Sequence, residues 1–190
     1  MSGVMIKTGI YGLLRVMVLA NDWPAWWGWT FIGIGVISGV GGVIYALVQH
    51  DFKRLLAYSS VENIGIICLG IGVGVFGIGL AGPVARLAMA GALLHVLNHA
   101  VFKTGLFLGA GAVIQAVGTR DLDILGGLQK RMPVTGLSFL VASAAICGLP
   151  PLNGFVSEFL IYLASYWSVL PQGFPSVNLR VGGFVVISSL

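Results

Sequence analysis

The stretch AGALLHVLNHAVFKTGLFLGAGA, Ala90–Ala112, decides the fold. Within it stand His95, His99 and Lys103, each four positions after the last, in a longer apolar run from Val84 to Ala116. In a helix that spacing stacks three titratable side chains along one slowly drifting face. Its surroundings are what lipid or the interior of a membrane protein accepts. An ionisable residue at such depth costs roughly 2.5–3.5 kcal/mol on insertion scales, and residues of this kind commonly line ion paths.

Composition agrees with a membrane protein. Mean hydropathy is +0.99. Hydrophobic residues make up 57% and charged residues 8% of the 190, against about 25% charged in soluble domains. The 29 glycines would weaken a soluble helical core, whereas in membranes small residues let helices approach closely. Gly35 with Gly39, Gly70 with Gly74 and Gly105 with Gly109 have that spacing. The glycine-rich run near 70–79 lacks the strand, phosphate-binding lysine and trailing acid of a nucleotide loop. The net charge of +4 comes from scattered residues, not from a patch of the kind that binds nucleic acid. Cys68 and Cys147 are isolated, with no CxxC pair and no iron–sulfur spacing. The chain calls for no cofactor, and electron transfer does not run through these residues.

Six apolar segments follow, giving an all-α, polytopic transmembrane bundle: about 2–20, 29–48, 55–80, 84–116, 134–167 broken near 148–154, and a last one from 181 to 190 that is too short to cross. The third and fourth exceed the roughly 20 residues a perpendicular helix needs, so tilt or irregularity is expected. Trp23, Trp26, Trp27 and Trp29 read as an interfacial belt in the first loop, where Pro24 ends the first helix. Residues 1–190 form one transmembrane domain and read as an internal piece of a larger polytopic protein. The segment at Met1 has no charged leader or cleavage site of a signal peptide. Lys53, Arg54, Arg120, Lys130 and Arg131 fall on one side, which the positive-inside rule assigns to the cytoplasm.

Four constellations carry chemistry. For His95, His99 and Lys103 the bland reading is hydrogen bonding between helices, with Lys103 snorkelling. Yet Lys103 lies roughly 20 Å before the loop at Gly118 at about 1.5 Å per residue, beyond a lysine's reach. Chelation by His at i and i+4 lacks a third ligand, and the lysine would repel a cation; no metal site is assigned. A proton relay through intervening water fits histidine's titration near neutrality. Lys7, in GVMIKTGI, is either a snorkelling residue or a further relay group. Lys53 and Arg54 open the third helix at the surface; topological anchoring is their plain role and is kept for Arg54, while Lys53 is counted with the proton path. Glu62, two turns further in, suits a pairing partner for a lysine or a proton site.

The fourth constellation is GLPPLNGFVSEF, Gly148–Phe159. Pro150 and Pro151 remove two backbone donors, and Asn153–Gly154 invites a turn. In hydrocarbon such a break is tolerated only where protein or a water-filled cavity satisfies the freed carbonyls, and broken helices mark ion sites in transporters. Glu158, just past the break, suits a gate or exit site; the rival is a plain loop with Glu158 near the surface.

Taken together, DFKRLLAYSSVE (Asp51–Glu62), HVLNHAVFKTGLFL (His95–Leu108) and LPPLNGFVSEF (Leu149–Phe159) resemble the antiporter-like, proton-conducting family. Its members include the large membrane-arm subunits of NADH–quinone oxidoreductase, multisubunit sodium/proton antiporter subunits and membrane-bound hydrogenases. The resemblance covers essentially the whole chain. It implies a second inverted repeat, from the eighth to the start of the thirteenth of about fourteen helices. It also implies that Lys7 is the eighth-helix lysine, that Lys53 opens the tenth helix, that His95, His99 and Lys103 form the conducting face of the eleventh, and that Glu158 is the acidic site of a broken twelfth. The family's fifth-helix glutamate and seventh-helix lysine would precede Met1.

SVENIGI (Ser60–Ile66) and PPLNGFVSEF look most like the hydrogenase-4 and formate hydrogenlyase membrane-subunit group. This implies a multi-pass inner-membrane subunit without a catalytic site of its own. It would be surrounded by lipid and other membrane subunits, with peripheral hydrogenase and iron–sulfur subunits carrying the redox chemistry. A sodium/proton antiporter subunit is the alternative.

Overall fold

The computed structural model describes residues 2–20, 23–80 and 82–169, with the short stretches 177–178 and 186–187. Six helices run in chain order: α1 (Met5–Ala20), α2 (Ala25–Leu47), α3 (Phe52–Leu80), α4 (Gly82–Val117), α5 (Pro133–Ile146) and α6 (Asn153–Val169). Helices satisfy their own backbone, the condition for crossing lipid. Stretches in α2, α3 and α4 are long and apolar enough to do so. Val177–Asn178 and Val186–Ile187 form a two-residue antiparallel pairing; the other residues of the expected final segment lie outside those described.

Local chemistry sets where the helices start. The Oδ1 of Asp51 accepts the backbone N–H groups of Lys53 and Arg54, so α3 starts at Phe52, three residues before the first apolar run suggested. Because the first N–H groups of a helix have no internal partner, such a cap fixes the start. α2 begins at Ala25, directly after Pro24 in extended conformation. Trp26, Trp27 and Trp29 therefore sit in the first turns of α2 rather than in a loop. Only Trp23 precedes the helix, its indole donating to the Met17 carbonyl at 2.7 Å. Despite its 36 residues, α4 is continuous; its one proline, Pro83, stands in the first turn, where a missing N–H costs nothing. Irregularity in α4 is thus absent, and its length of about 54 Å exceeds a hydrocarbon layer of about 30 Å.

α4 is the central element. Three apolar clusters form around it: Ile10, Met17, Ile67, Ile71 and Val75 against Ala92; Phe52, Leu56, Ala142 and Ala145 against Phe102, Leu106 and Ala110; and Val73 and Ala164 against Val84, Leu87 and Ala88. Glycines set the helix spacing, as expected, but not always with the expected partners. On α2 the buried glycines recur every seven residues, at Gly28, Gly35 and Gly42. They meet the backbone of α3: a Cβ on Gly35 would lie 2.8 Å from the Gly65 carbonyl oxygen, and one on Gly72 2.8 Å from that of Gly28. A Cβ on Gly39 would meet nothing. Gly70 and Gly74 face Ala92 and Met89 of α4, and Gly109 faces Phe139 of α5.

Two loops meet at one end of the bundle. Phe52 N–H donates to the Arg120 carbonyl and Leu122 N–H to that of His50, each at 2.9 Å. Lys53, Arg54 and Arg120 therefore share one side, as their charge pattern indicated. The break between α5 and α6 covers residues 147–152. Gly148 has φ +63° and the Pro150–Pro151 bond is cis. The left-handed conformation of Gly148 is open to glycine without penalty. Gly154 is buried, and its missing Cβ lets the first turn of α6 lie against the Ala145 carbonyl.

Candidate functional site

The inner face of α4 carries His95, Asn98, His99 and Lys103. Both histidines and the lysine have no exposed surface. The Lys103 ammonium donates to the Leu56 carbonyl at 2.7 Å and to Ser59 Oγ at 2.6 Å, both on α3. It does not snorkel. Among the described residues no carboxylate stands within ion-pair distance of it, and the one ion pair is His50–Asp123, at 2.8 Å on the surface. Lys103 is therefore held by dipoles rather than by a counter-charge.

His95 bridges two helices. Its Nε2 lies 3.0 Å from Asn63 Oδ1 on α3, and its Nδ1 2.9 Å from Ser157 Oγ on α6. Asn63 Nδ2 donates to the Ser59 carbonyl at 2.8 Å. Asn98 Nδ2 donates to the Asn153 carbonyl at 2.8 Å and to Ser157 Oγ at 3.1 Å. A line of polar contacts thus runs from Lys103 through Ser59 and Asn63 to His95, then through Ser157 to Asn98 and the first residue of α6.

His99 packs parallel to His95, with ring centroids 6.2 Å apart and an interplanar angle of 5°, and edge-on to Phe102 at 5.4 Å. Neither of its ring nitrogens has a hydrogen-bond partner among the described residues. Buried polar groups are nearly always paired, and His99 is the exception among the described residues.

Lys7 joins this region from α1. It is buried, and its ammonium turns back to the Ser2 carbonyl at 2.6 Å. Ser2 is in turn tied to α3 through Ser60, at 3.1 Å between hydroxyls. Glu62 is half-buried and lines a cleft of about 390 Å³ between α2, α3 and α6, together with Tyr162. Glu158 is half-buried on α6, and its carboxylate lies over the break, where a Cβ on Gly148 would come within 2.8 Å of Oε2. Neither glutamate forms an ion pair with a lysine among the described residues.

Lys53 is exposed in the first turn of α3 and is not brought to the cluster. Pro150 and Pro151 are exposed in the break; Asn153 contributes its carbonyl to Asn98, and Gly154 contributes close packing. Reading the charges alone missed Asn63, Asn98, Ser59 and Ser157. Their signal was present in the sequence: uncharged polar residues in apolar helices commonly bond across to a neighbour.

The family model described as "NADH:quinone oxidoreductase/Mrp antiporter, TM" matches residues 1–174, and the chain belongs to that family. It is 50% identical over 163 residues to hydrogenase-4 component B of Escherichia coli (strain K12), covering 84% of this chain and 24% of the relative. With formate hydrogenlyase subunit 3 of the same organism the identity is 48% over 162 residues, covering 85% and 27%. With one of the Na(+)/H(+) antiporter subunits of Alkalihalophilus pseudofirmus it is 36% over 191 residues, covering 98% and 23%. The chain thus spans about a quarter of the length of these relatives.

Proposed function

We propose that the chain is part of a proton-translocating inner-membrane subunit of a hydrogenase-type redox complex. One observation carries the reading: the continuous polar line from Lys103 across His95 to the start of α6, buried in an otherwise apolar bundle. Lys7, Lys103, His95, His99, Glu62 and Glu158 are its titratable groups, while Lys53 keeps an anchoring role at the surface. A charge change at the redox arm alters pairing among the buried lysines and glutamates, and protons then pass between them through water. The similarity to the hydrogenase-4 and formate hydrogenlyase subunits supports a setting among other membrane subunits. Peripheral hydrogenase and iron–sulfur subunits would carry the electrons.

The test is proton translocation by vesicles holding the full-length subunit in its intact complex. Lys103→Met and Glu158→Leu should each reduce pumping while hydrogenase activity with a soluble acceptor persists. Unchanged pumping in both would overturn the reading. The match to an antiporter subunit over nearly the whole chain favours sodium/proton exchange as the second reading. Transport that needs sodium and no redox partner would select it.

A further inference from the structure

We propose that Ser157 is a positioning residue whose hydroxyl turns between two acceptors, letting His95 gain and lose a proton at Nδ1 with no heavy atom moving. This rests on the proton-translocating reading above. The argument begins at Asn63. The Ser59 carbonyl can only accept, so the Asn63 group facing it at 2.8 Å is the amide nitrogen. The Asn63 oxygen then faces His95 Nε2 at 3.0 Å, and an amide oxygen accepts only. His95 therefore carries a hydrogen on Nε2 in every state of the site.

Nδ1 is left as the variable position. In the neutral ring it is a lone pair, and the Ser157 hydroxyl donates to it at 2.9 Å. In the imidazolium it carries a hydrogen and needs an acceptor. Ser157 Oγ can become that acceptor, because its own hydrogen has a second destination: the Gly154 carbonyl at 3.0 Å, with that of Asn153 at 3.2 Å. Both arrangements use the same heavy-atom positions. Asn98 Nδ2 donates to Ser157 Oγ in either state and keeps it in place. The exchange is a single proton, brought and removed by the water of the proton path: imidazole plus hydronium gives imidazolium plus water, and the Ser157 hydroxyl keeps its own hydrogen and only redirects it.

Both alternative acceptors are in the first turn of α6, so the protonation of His95 is read out at the helix break. The charged and titratable groups around the ring are Lys7 of α1, Glu62 of α3, His99 and Lys103 of α4 and Glu158 of α6. None of them hydrogen-bonds His95 directly. Among the described residues, Ser157 is thus the one group on His95 that can change from donor to acceptor.

Nitrogen-15 spectra of the histidine rings in the full-length subunit, with His95 assigned by its loss in His95→Gln, test the site directly. The neutral ring should carry its hydrogen on Nε2 and show a hydrogen-bonded Nδ1 lone pair, a signature that Ser157→Ala removes and Ser157→Thr restores. In the intact complex Ser157→Ala should slow pumping about tenfold, less than the roughly 10²–10⁴-fold that a group itself transferring the proton contributes. Ser157→Thr should recover most of it. A neutral ring with its hydrogen on Nδ1, or wild-type pumping in Ser157→Ala beside a defective His95→Gln, would overturn the inference alone. Wild-type pumping in His95→Gln would overturn the relay reading for His95 and this inference with it, whatever the spectra show.

Discussion

The ammonium of Lys103 on α4 sits 2.6 Å from the hydroxyl of Ser59 on α3, with no carboxylate of the described residues in contact to balance it. Ser59 also lies 3.2 Å from the Leu56 carbonyl. If the lysine were removed, these two groups would still satisfy one another. Lys103→Met, which fills the same volume without charge, should therefore leave the thermal stability of the full-length subunit unchanged or raised, since apolar replacement of a buried charge is often neutral or stabilising. Proton translocation should fall in the same variant. A cooperative unfolding temperature well below wild type would show that Lys103 serves structure first.

The seam between α2 and α3 gives a steric prediction. A Cβ on Gly65 would lie 2.6 Å from the Gly39 nitrogen and 2.7 Å from the Gly35 oxygen. These are backbone atoms that cannot rotate aside, so the helices must separate. Gly65→Ala should cost about 1–3 kcal/mol, the usual range for overpacking. Gly33→Ala on the same helix pair meets nothing within 4 Å and should be neutral. Thermal denaturation of the two variants of the full-length protein in detergent makes the comparison.

The apolar helices up to residue 169, the break near Gly148 and the shared face of His95, His99 and Lys103 were legible because hydrophobic runs, prolines and four-residue spacing act locally. What is bonded to what was not. Asn63 and Ser157 stand 32 and 62 positions from His95, and only packing of α3 and α6 on α4 brings them together. The glycine seam was half legible: the need for small residues shows in the composition. Which glycines meet depends on how the helices are rotated, so a Cβ on Gly35 would strike Gly65, while Gly39 lends the seam its backbone and its own Cβ would meet nothing. Lys53 was drawn toward the site by its place in a motif, although its position in the first turn of α3 leaves it exposed.

Asp51 gives a prediction at the surface, outside the membrane-spanning helices. The Arg54 backbone N–H bond, aided by that of Lys53 and by the Arg120 and Arg54 charges, holds the Asp51 carboxyl below the usual carboxylate value of 3.8. A carboxylate lowered in the folded state contributes stability above its unfolded value and loses it as pH falls through the folded one. The start of α3 should therefore be firm at pH 5 and loosen only below about pH 4. Asp51→Ala should show the loosened state at all pH values. Amide exchange at Lys53 and Arg54 reads both effects, and equal protection in the variant would remove the cap from the account.

Gly148 and Glu158 couple the helix break to its carboxylate. Gly148 has φ +63°, where any other residue pays about 1–2 kcal/mol. A Cβ there would also press on Glu158 Oε2 at 2.8 Å. Gly148→Ala should therefore do two separable things. It should lower stability by about 1–2 kcal/mol through the backbone, an effect that persists in Gly148→Ala/Glu158→Gln because it does not depend on the carboxylate. It should also displace the carboxylate and slow translocation, an effect that vanishes when Glu158 is already glutamine. A double-mutant cycle on the full-length complex should thus be close to additive in unfolding free energy and strongly non-additive in pumping rate. Additivity in both would mean that Gly148 shapes the break without steering Glu158.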